Sequence, residues 1–137
     1  MVFLGAVLLC RAAVCAADDT PLPALAQLAS ALSRNDAVAA AGVFDESMKD
    51  FATIESALEA LAAQSDILCA VDVVSDREEG DFHSLDVDWY MELKSRTPSG
   101  PTERRRERVA LRMRKIRGKW RITSFSPLRI LAPPTIP

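Results

Sequence analysis

Few side chains in this sequence could carry out acid–base or nucleophilic chemistry, and they are scattered along the chain. His83 is the only histidine and lies beside a charged turn, so a solvated surface role is favoured over catalysis. Cys69 lies in the apolar run 67–74, which favours a buried side chain over a reactive thiol. One histidine and one cysteine beyond residue 15 cannot build the common tetrahedral zinc site. The sequence therefore predicts no metal site and no cofactor.

Carboxylates are plentiful, but those in the most regular segment face away from the predicted core. Asp86, Asp88, Tyr90 and Glu92 alternate with apolar residues, and this alternation assigns them to the outer face of a strand. A carboxylate base must reach the proton that it removes from a bound substrate. No catalytic residue is therefore assigned to this strand.

A strongly basic stretch spans residues 103–121, where ten Lys and Arg residues accompany only two acids. Such a stretch is typical of a nucleic-acid or membrane surface, and it also occurs in strands that pair with an acidic neighbour. The preceding region is acidic, since residues 18–92 hold seventeen acids and three bases. The two regions could therefore neutralise each other within one fold.

The register of the basic stretch distinguishes these alternatives. A turn centred on Gly100 would build an apolar inner face from the pairs Val87–Met113, Trp89–Leu111 and Met91–Val109. The same register would pair acids with arginines on the outer face, as Glu92–Arg108, Asp88–Arg112 and Asp86–Arg114. Because these charges would be paired within the sheet, no nucleic-acid partner is expected.

Three helices are predicted before any strand. The first begins after Thr20-Pro21 and carries leucines at helical spacing. Asp36 caps a second helix, which is short and rich in alanine. Thr53 caps the third, beyond a polar link at 45–51.

From residue 67 onward the apolar period changes to two, as in β-strands. Turn sequences at 77–81, 97–101 and 117–118 divide this part of the chain into four strands. The order of elements indicates an α+β fold, in which three N-terminal helices pack on a curved four-stranded antiparallel sheet.

Residues 1–17 are predicted to be a signal peptide or an N-terminal hydrophobic segment. Val2–Cys10 is an apolar run too short to span a membrane, and the small residues at 12–17 offer a cleavage site. Cleavage predicts an exported protein, periplasmic or secreted, whereas an uncleaved segment would anchor the protein to a membrane. The mature chain then comprises one domain at 18–131 and a Pro-rich tail at 132–137, without a membrane span.

The chain resembles members of the nuclear transport factor 2-like superfamily, the cone-shaped fold of ketosteroid isomerases, scytalone dehydratases and SnoaL-like cyclases. The resemblance covers about residues 22–131 and rests on the paired N-terminal helices, a third helix from Thr53, the strand DVDWYMEL at 86–93 and the closing GKWRI at 118–122. Many members insert a hairpin between the second and third helices, whereas only residues 45–52 are available here. The resemblance therefore implies a short front wall and a shallow pocket.

The resemblance also implies that any ligand pocket lies inside the cone, between the helices and the concave face of the sheet. The matching residues are almost all apolar: Phe44, Met48, Phe51, Leu58, Cys69, Trp89, Met91, Leu111, Ile122 and Ser124. Asp45 and Asp50 are the nearest acids, at the pocket mouth. An isomerase of this fold needs a carboxylate base and a second acid or phenol, and neither aspartate has an obvious partner.

Three classes of function follow. An exported, non-catalytic domain that binds a small apolar molecule or a protein partner fits the apolar cone best. An isomerase, dehydratase or cyclase of the same fold would need an inward-facing carboxylate. A structural or dimerisation module would use the charged outer face, since sheets of this fold often pair face to face in homodimers.

Overall fold

The computed structural model describes residues 19–134, which form three helices followed by an antiparallel sheet. The helices are α1 (Leu22–Ser33), α2 (Ala37–Ala41) and α3 (Phe51–Gln64). The strands are β1 (Ser65–Glu79), β2 (Phe82–Ser95), β3 (Thr102–Ile116) and β4 (Lys119–Ser126), and a 3₁₀ helix (Leu128–Leu131) follows. The predicted α+β architecture of three helices on a four-stranded antiparallel sheet is confirmed.

Two predictions concern residues outside this range. The predicted signal peptide at 1–17 lies outside the described residues, as do residues 135–137 of the tail. Within 19–134, no helix has the length and apolar character needed to cross a membrane.

The helix starts follow the local sequence closely. Pro21 occupies the N-cap of α1, and the carboxylate of Asp36 accepts a hydrogen bond of 3.0 Å from the Ala39 N–H at the start of α2. Helix α3 begins at Phe51, two residues before the predicted cap at Thr53. The Phe51 ring packs against the core, and burying this apolar surface favours helix from that residue onward.

Asn35 ties the end of α1 to the junction of α3 and β1. Its backbone has φ +57°, in the left-handed region that asparagine tolerates better than most residues. Its side-chain amide donates to the carbonyls of Ala62 (3.2 Å) and Ser65 (2.5 Å) and accepts from the Ile67 N–H (3.1 Å). One side chain therefore holds three elements together and covers part of the free edge of β1.

The strands follow the order β1-β2-β3-β4, but the β2–β3 register differs from the predicted one by four residues. Asp88 lies opposite Arg108 and Glu92 opposite Arg104. The predicted partners Val87–Met113, Trp89–Leu111, Met91–Val109, Glu92–Arg108, Asp88–Arg112 and Asp86–Arg114 are therefore wrong. Because the shift is even, each side chain keeps its predicted face.

Two prolines explain the observed register. The last β2–β3 pair is Lys94–Thr102, so the loop is centred on Pro98 and contains Pro101. A turn centred on Gly100 would bring Pro98 opposite Thr102, although proline has no N–H to donate to a strand ladder. In the observed loop Pro101 contributes only its carbonyl, which accepts from the Ser95 N–H at 3.2 Å.

The outer face of the sheet carries the acidic side chains of β2 beside the arginines of β3. Arg106 Nη2 lies 2.7 Å from Asp88 Oδ2, and Arg104 Nε lies 3.9 Å from Glu92 Oε1. The Tyr90 hydroxyl donates to Glu92 at 2.7 Å. The hydrogen bond from Arg106 lowers the pKa of Asp88. Part of the basic stretch is thus paired within the sheet, and a homodimer through this face stays a prediction.

The core lies between the helices and the concave face. Trp89 is fully buried, and its ring meets the Phe125 ring edge to face at 5.3 Å. The Phe44 ring also meets the Phe125 ring, at 5.7 Å. The 3₁₀ helix adds Ile130 and Leu131 to this core. The core therefore draws on the helices, the sheet and the C-terminal segment.

The link between α2 and α3 covers the edge of β4. Ile122 donates to the Val43 carbonyl at 2.8 Å, and the Asp45 N–H donates to the Ile122 carbonyl at 2.8 Å. Phe44 thereby forms a parallel bridge with Ile122. The link thus satisfies backbone groups at an edge of the sheet.

Candidate functional site

The structure brings most of the predicted pocket residues together as core. Phe44, Leu58, Trp89, Met91, Leu111 and Ile122 are buried, together with Cys69. Met48 and Phe51 are half-buried against them. Their packing fills the centre of the cone, and a ligand-binding role for these residues stays a prediction.

Ser124 does not face the cone, and its assignment to the pocket is corrected. It is exposed and lies opposite Arg112, on the outer face of the sheet. A bulge at Thr123 causes this, because Met113 pairs with Ile122 while Arg112 pairs with Ser124. One extra residue in a strand reverses the faces of the residues that follow it.

Asp45 and Asp50 lie at the two ends of the link before α3. The carboxylate of Asp45 accepts from the backbone N–H of Ser47 at 3.0 Å and from its hydroxyl at 2.9 Å. Asp50 occupies the N-cap position of α3. Asp45 therefore stabilises the link, and a role for either acid at a pocket mouth stays a prediction.

A mainly apolar groove of about 500 Å³ opens at the end of the concave face where α3 meets the β2–β3 loop. Its walls come from the end of α3, the end of β2, the loop, the start of β3 and the tail, and they include Ala63, Gln64, Leu93, Pro101, Glu103 and Pro134. The Gln64 Oε1 atom is buried without a hydrogen-bond partner among the described residues. Ser65, Ser95, Arg96 and Thr97 add polar side chains to these walls. Small-molecule sites commonly combine apolar walls with polar groups that orient the ligand.

Sequence reasoning missed a charged row on the concave face beside this groove. Glu103, Arg105 and Glu107 have the same parity as the buried Val109, so their side chains lie on the concave side of β3. Their cross-strand partners are the apolar residues Leu93, Met91 and Trp89. The alternation that leads back from Val109 would have found the row, but the predicted register placed Glu103 and Arg105 opposite the polar residues Thr97 and Ser95.

Arg105 connects this row to the C-terminal segment. Its side chain is 15% exposed. Nη1 donates to the carbonyl of Ile130 at 3.0 Å and to that of Ala132, and Nε donates to Glu103. Glu107 accepts hydrogen bonds from Arg129, a residue of the 3₁₀ helix. Each carboxylate of the row is therefore engaged by an arginine.

The His83 side chain is more buried than expected for the solvated surface residue that the sequence predicted. Its side chain is 16% exposed, and Nδ1 lies 2.8 Å from Asp76 Oδ1. The ring meets Trp120 edge to face at 5.1 Å. The β1 bulge at Val74 places Asp76 and His83 on the same side of the sheet, which strand alternation alone did not predict.

Cys69 is an inert thiol in this environment. Burial raises its pKa to about 12, because the thiolate would lose its hydration in the core. The Ser33 hydroxyl holds the backbone of this residue, because it accepts a hydrogen bond of 3.0 Å from the Cys69 N–H. Across 19–134, no three His, Cys, Asp or Glu side chains are grouped as metal ligands.

Comparisons with known proteins find similarity in structure alone. No protein-family model matches the sequence, and neither does any curated protein. A candidate scytalone dehydratase from Novosphingobium aromaticivorans has 10% identity over 75% of this chain and 76% of its own, with a TM-score of 0.66. An NTF2-like protein of unknown function from Shewanella oneidensis has 14% identity over 76% and 92% of the two chains, with a TM-score of 0.62.

A third solved structure agrees with these two. It is a candidate dehydratase of the NTF2-like family from Streptomyces avermitilis, with 13% identity over 74% of this chain and 88% of its own, and a TM-score of 0.61. Identities this low establish a shared fold and leave activity open. This chain has the nuclear transport factor 2-like fold.

Proposed function

We propose that this protein is an exported, non-catalytic binding domain that holds a small apolar molecule in the groove at the end of its concave face. The groove is the observation that carries this proposal. It is mainly apolar, has a volume of about 500 Å³, and includes the buried residue Leu93 in its wall. These properties match those of small-molecule sites.

The charged row beside the groove supports binding over acid–base catalysis. A general base needs a carboxylate that is free to take a proton from the substrate. Glu103 is held by Arg105, and Glu107 is held by Arg129. Neither carboxylate is therefore free to contact a substrate proton without first giving up its arginine.

Export is supported by the sequence of the N-terminal segment. Val2–Cys10 has the length of a secretory apolar region, and small residues follow it. A binding domain with one buried cysteine after this segment needs no disulfide in an oxidising compartment.

The substitution Ala63→Trp tests the groove. Ala63 is an exposed residue of α3 that lines the groove, so an indole there would fill the groove without entering the core. We expect a neutral apolar fluorescent dye, Nile red, to bind the wild type and to bind the variant at least about tenfold more weakly. Ala52→Trp is the matched control, since Ala52 is exposed on the same helix near its other end.

Two outcomes would contradict the proposal. Equal dye affinity in the wild type and Ala63→Trp would place the binding elsewhere. No saturable binding to the wild type would remove the groove as a site for apolar molecules.

A further inference from the structure

We propose that the molecule in the groove is an apolar carboxylate, and that Arg105 binds its carboxylate group. This inference rests on the proposed function, because it names the class of ligand that the same groove would take. It also assigns a role to Arg105, the cation of the charged row, which is bonded to two backbone carbonyls.

Arg105 borders the inner end of the groove. Glu103, two residues earlier on the same face of β3, lines the groove and is bonded to Arg105. Pro134 lines the groove from the other side, and Ala132, two residues before it, accepts a hydrogen bond from Arg105 Nη1. The guanidinium therefore lies where the wall formed by β3 meets the wall formed by the tail.

The present acceptors of Nη1 are weaker than a ligand carboxylate would be. Nη1 donates to the neutral carbonyls of Ile130 and Ala132, and the only carboxylate on Arg105 is held through Nε. A carboxylate forms shorter and stronger hydrogen bonds with a guanidinium than an amide carbonyl does. With the side chain only 15% exposed, competition from water is reduced.

Only the tail beyond the 3₁₀ helix has to move to admit this group. Ile130 and Leu131 are buried at 2% and 1%, and they anchor the 3₁₀ helix in the core. Residues 132–134 are half-buried and lie outside any helix or strand. Pro133 and Pro134 have no N–H, so their displacement breaks no donor bond of their own. Ala132 would give up the hydrogen bond of 3.1 Å from its N–H to the Arg129 carbonyl.

Two arginines balance the two carboxylates of the row, so an anion is favoured here by the neutral acceptors of Arg105 Nη1 and not by net charge. Glu103 and Glu107 each already have an arginine partner, so no carboxylate of the row is left to attract a cation. A carboxylate that replaces the Ala132 carbonyl would add a second anion to Arg105 while Glu107 keeps Arg129. The apolar part of the ligand would then lie along Leu93 and Ala63 in the groove.

A matched pair of ligands tests this in the wild-type protein. Dansyl-labelled undecanoic acid and its methyl ester have the same apolar body and differ in the carboxylate. We expect the acid to bind roughly tenfold more tightly than the ester in a fluorescence titration at neutral pH, as a charge-assisted hydrogen bond requires. Arg105→Met should abolish this preference, measured as the ratio of the two affinities within each variant. Two controls should retain it: Arg108→Met, on the outer face of the same strand, and Arg96→Met, which removes an arginine that lines the groove.

The outcomes separate this inference from the proposed function. Equal affinities for acid and ester in the wild type would overturn the role of Arg105 and leave the apolar groove standing. A preference that survives in Arg105→Met would also overturn it. If neither ligand binds, the groove itself fails, and with it both proposals. If Arg105→Met does not fold, Arg105→Lys is tested in its place. Lysine keeps the positive charge but cannot form two parallel hydrogen bonds with a carboxylate, so the preference for the acid over the ester should fall.

Discussion

Replacing Asn35 by alanine should strongly destabilise the protein, because it removes three hydrogen bonds at once. Asn35 joins α1 to the α3–β1 junction through hydrogen bonds to Ala62, Ser65 and Ile67. The same junction supplies Ala63 and Gln64 to the groove. The substitution therefore tests whether one side chain positions a wall of the proposed site.

The magnitude follows from the three bonds and the backbone. Each hydrogen bond to a part-buried backbone group contributes about 1 kcal/mol. Alanine at the observed φ of +57° adds about 1 kcal/mol of backbone strain. The free energy of unfolding of Asn35→Ala should therefore fall by about 4 kcal/mol.

Glycine at the same position separates the two contributions. Asn35→Gly loses the same three hydrogen bonds but adopts positive φ without steric cost. It should be destabilised by about 3 kcal/mol, and so be about 1 kcal/mol more stable than Asn35→Ala. Urea unfolding followed by tryptophan fluorescence measures both values, because Trp89 is in the core.

The reasoning would be refuted by a loss below about 1 kcal/mol in Asn35→Ala, since that is the net value of a single hydrogen bond. Equal stabilities for the alanine and glycine variants would refute only the contribution from backbone strain. A stable Asn35→Gly variant with unchanged dye binding would show that the junction holds its position without this side chain.

Two further predictions concern the thiol and the register. Burial raises the pKa of Cys69 from 9.0 to about 12, so the folded state holds this proton more tightly, and the thiol's contribution to stability is present below pH 9 and declines above it. The difference in unfolding free energy between wild type and Cys69→Ala should be constant below about pH 9 and should shrink above it, and a difference that stays constant as the pH rises past 9 would contradict the burial. For the register, a double-mutant cycle on Asp88 and Arg106 should give a coupling of about 0.5 kcal/mol, as for other surface ion pairs. The cycle on Asp88 and Arg112 should give none, and the reverse result would restore the Gly100-centred register.

The sequence predicted the face of the sheet on which each side chain lies better than it predicted the cross-strand partners. Alternation assigned Trp89 and Met91 to the core and Tyr90 to the outer face, and the structure agrees because period two depends only on the strand itself. Cross-strand pairing depends on where the loop is centred, and any even shift keeps the same faces. The prolines at 98 and 101 carried the missing information, since neither can donate to the ladder.

The errors in placing site residues have one common source. Bulges at Val74 and Thr123 each add a residue that no hydrophobic pattern marks. The first brings Asp76 beside His83, and the second turns Ser124 outward. The alternation of side chains predicts the correct face of the sheet up to a bulge and the wrong face beyond it. Sequence reasoning therefore misplaces the residues that follow a bulge.

The position of the groove follows from how the cone is filled. The short link between α2 and α3 pairs with Ile122 at one side of the sheet, so it adds no wall in front of the concave face. The 3₁₀ helix buries Ile130 and Leu131 against the core. The end of the concave face stays open as the groove, where the start of β3 carries Glu103 and Arg105 in place of apolar residues. Charged side chains there prevent complete closure by apolar packing, because their desolvation must be offset by ion pairs and hydrogen bonds. The same charges that leave the groove open therefore supply the polar group by which it could select a ligand.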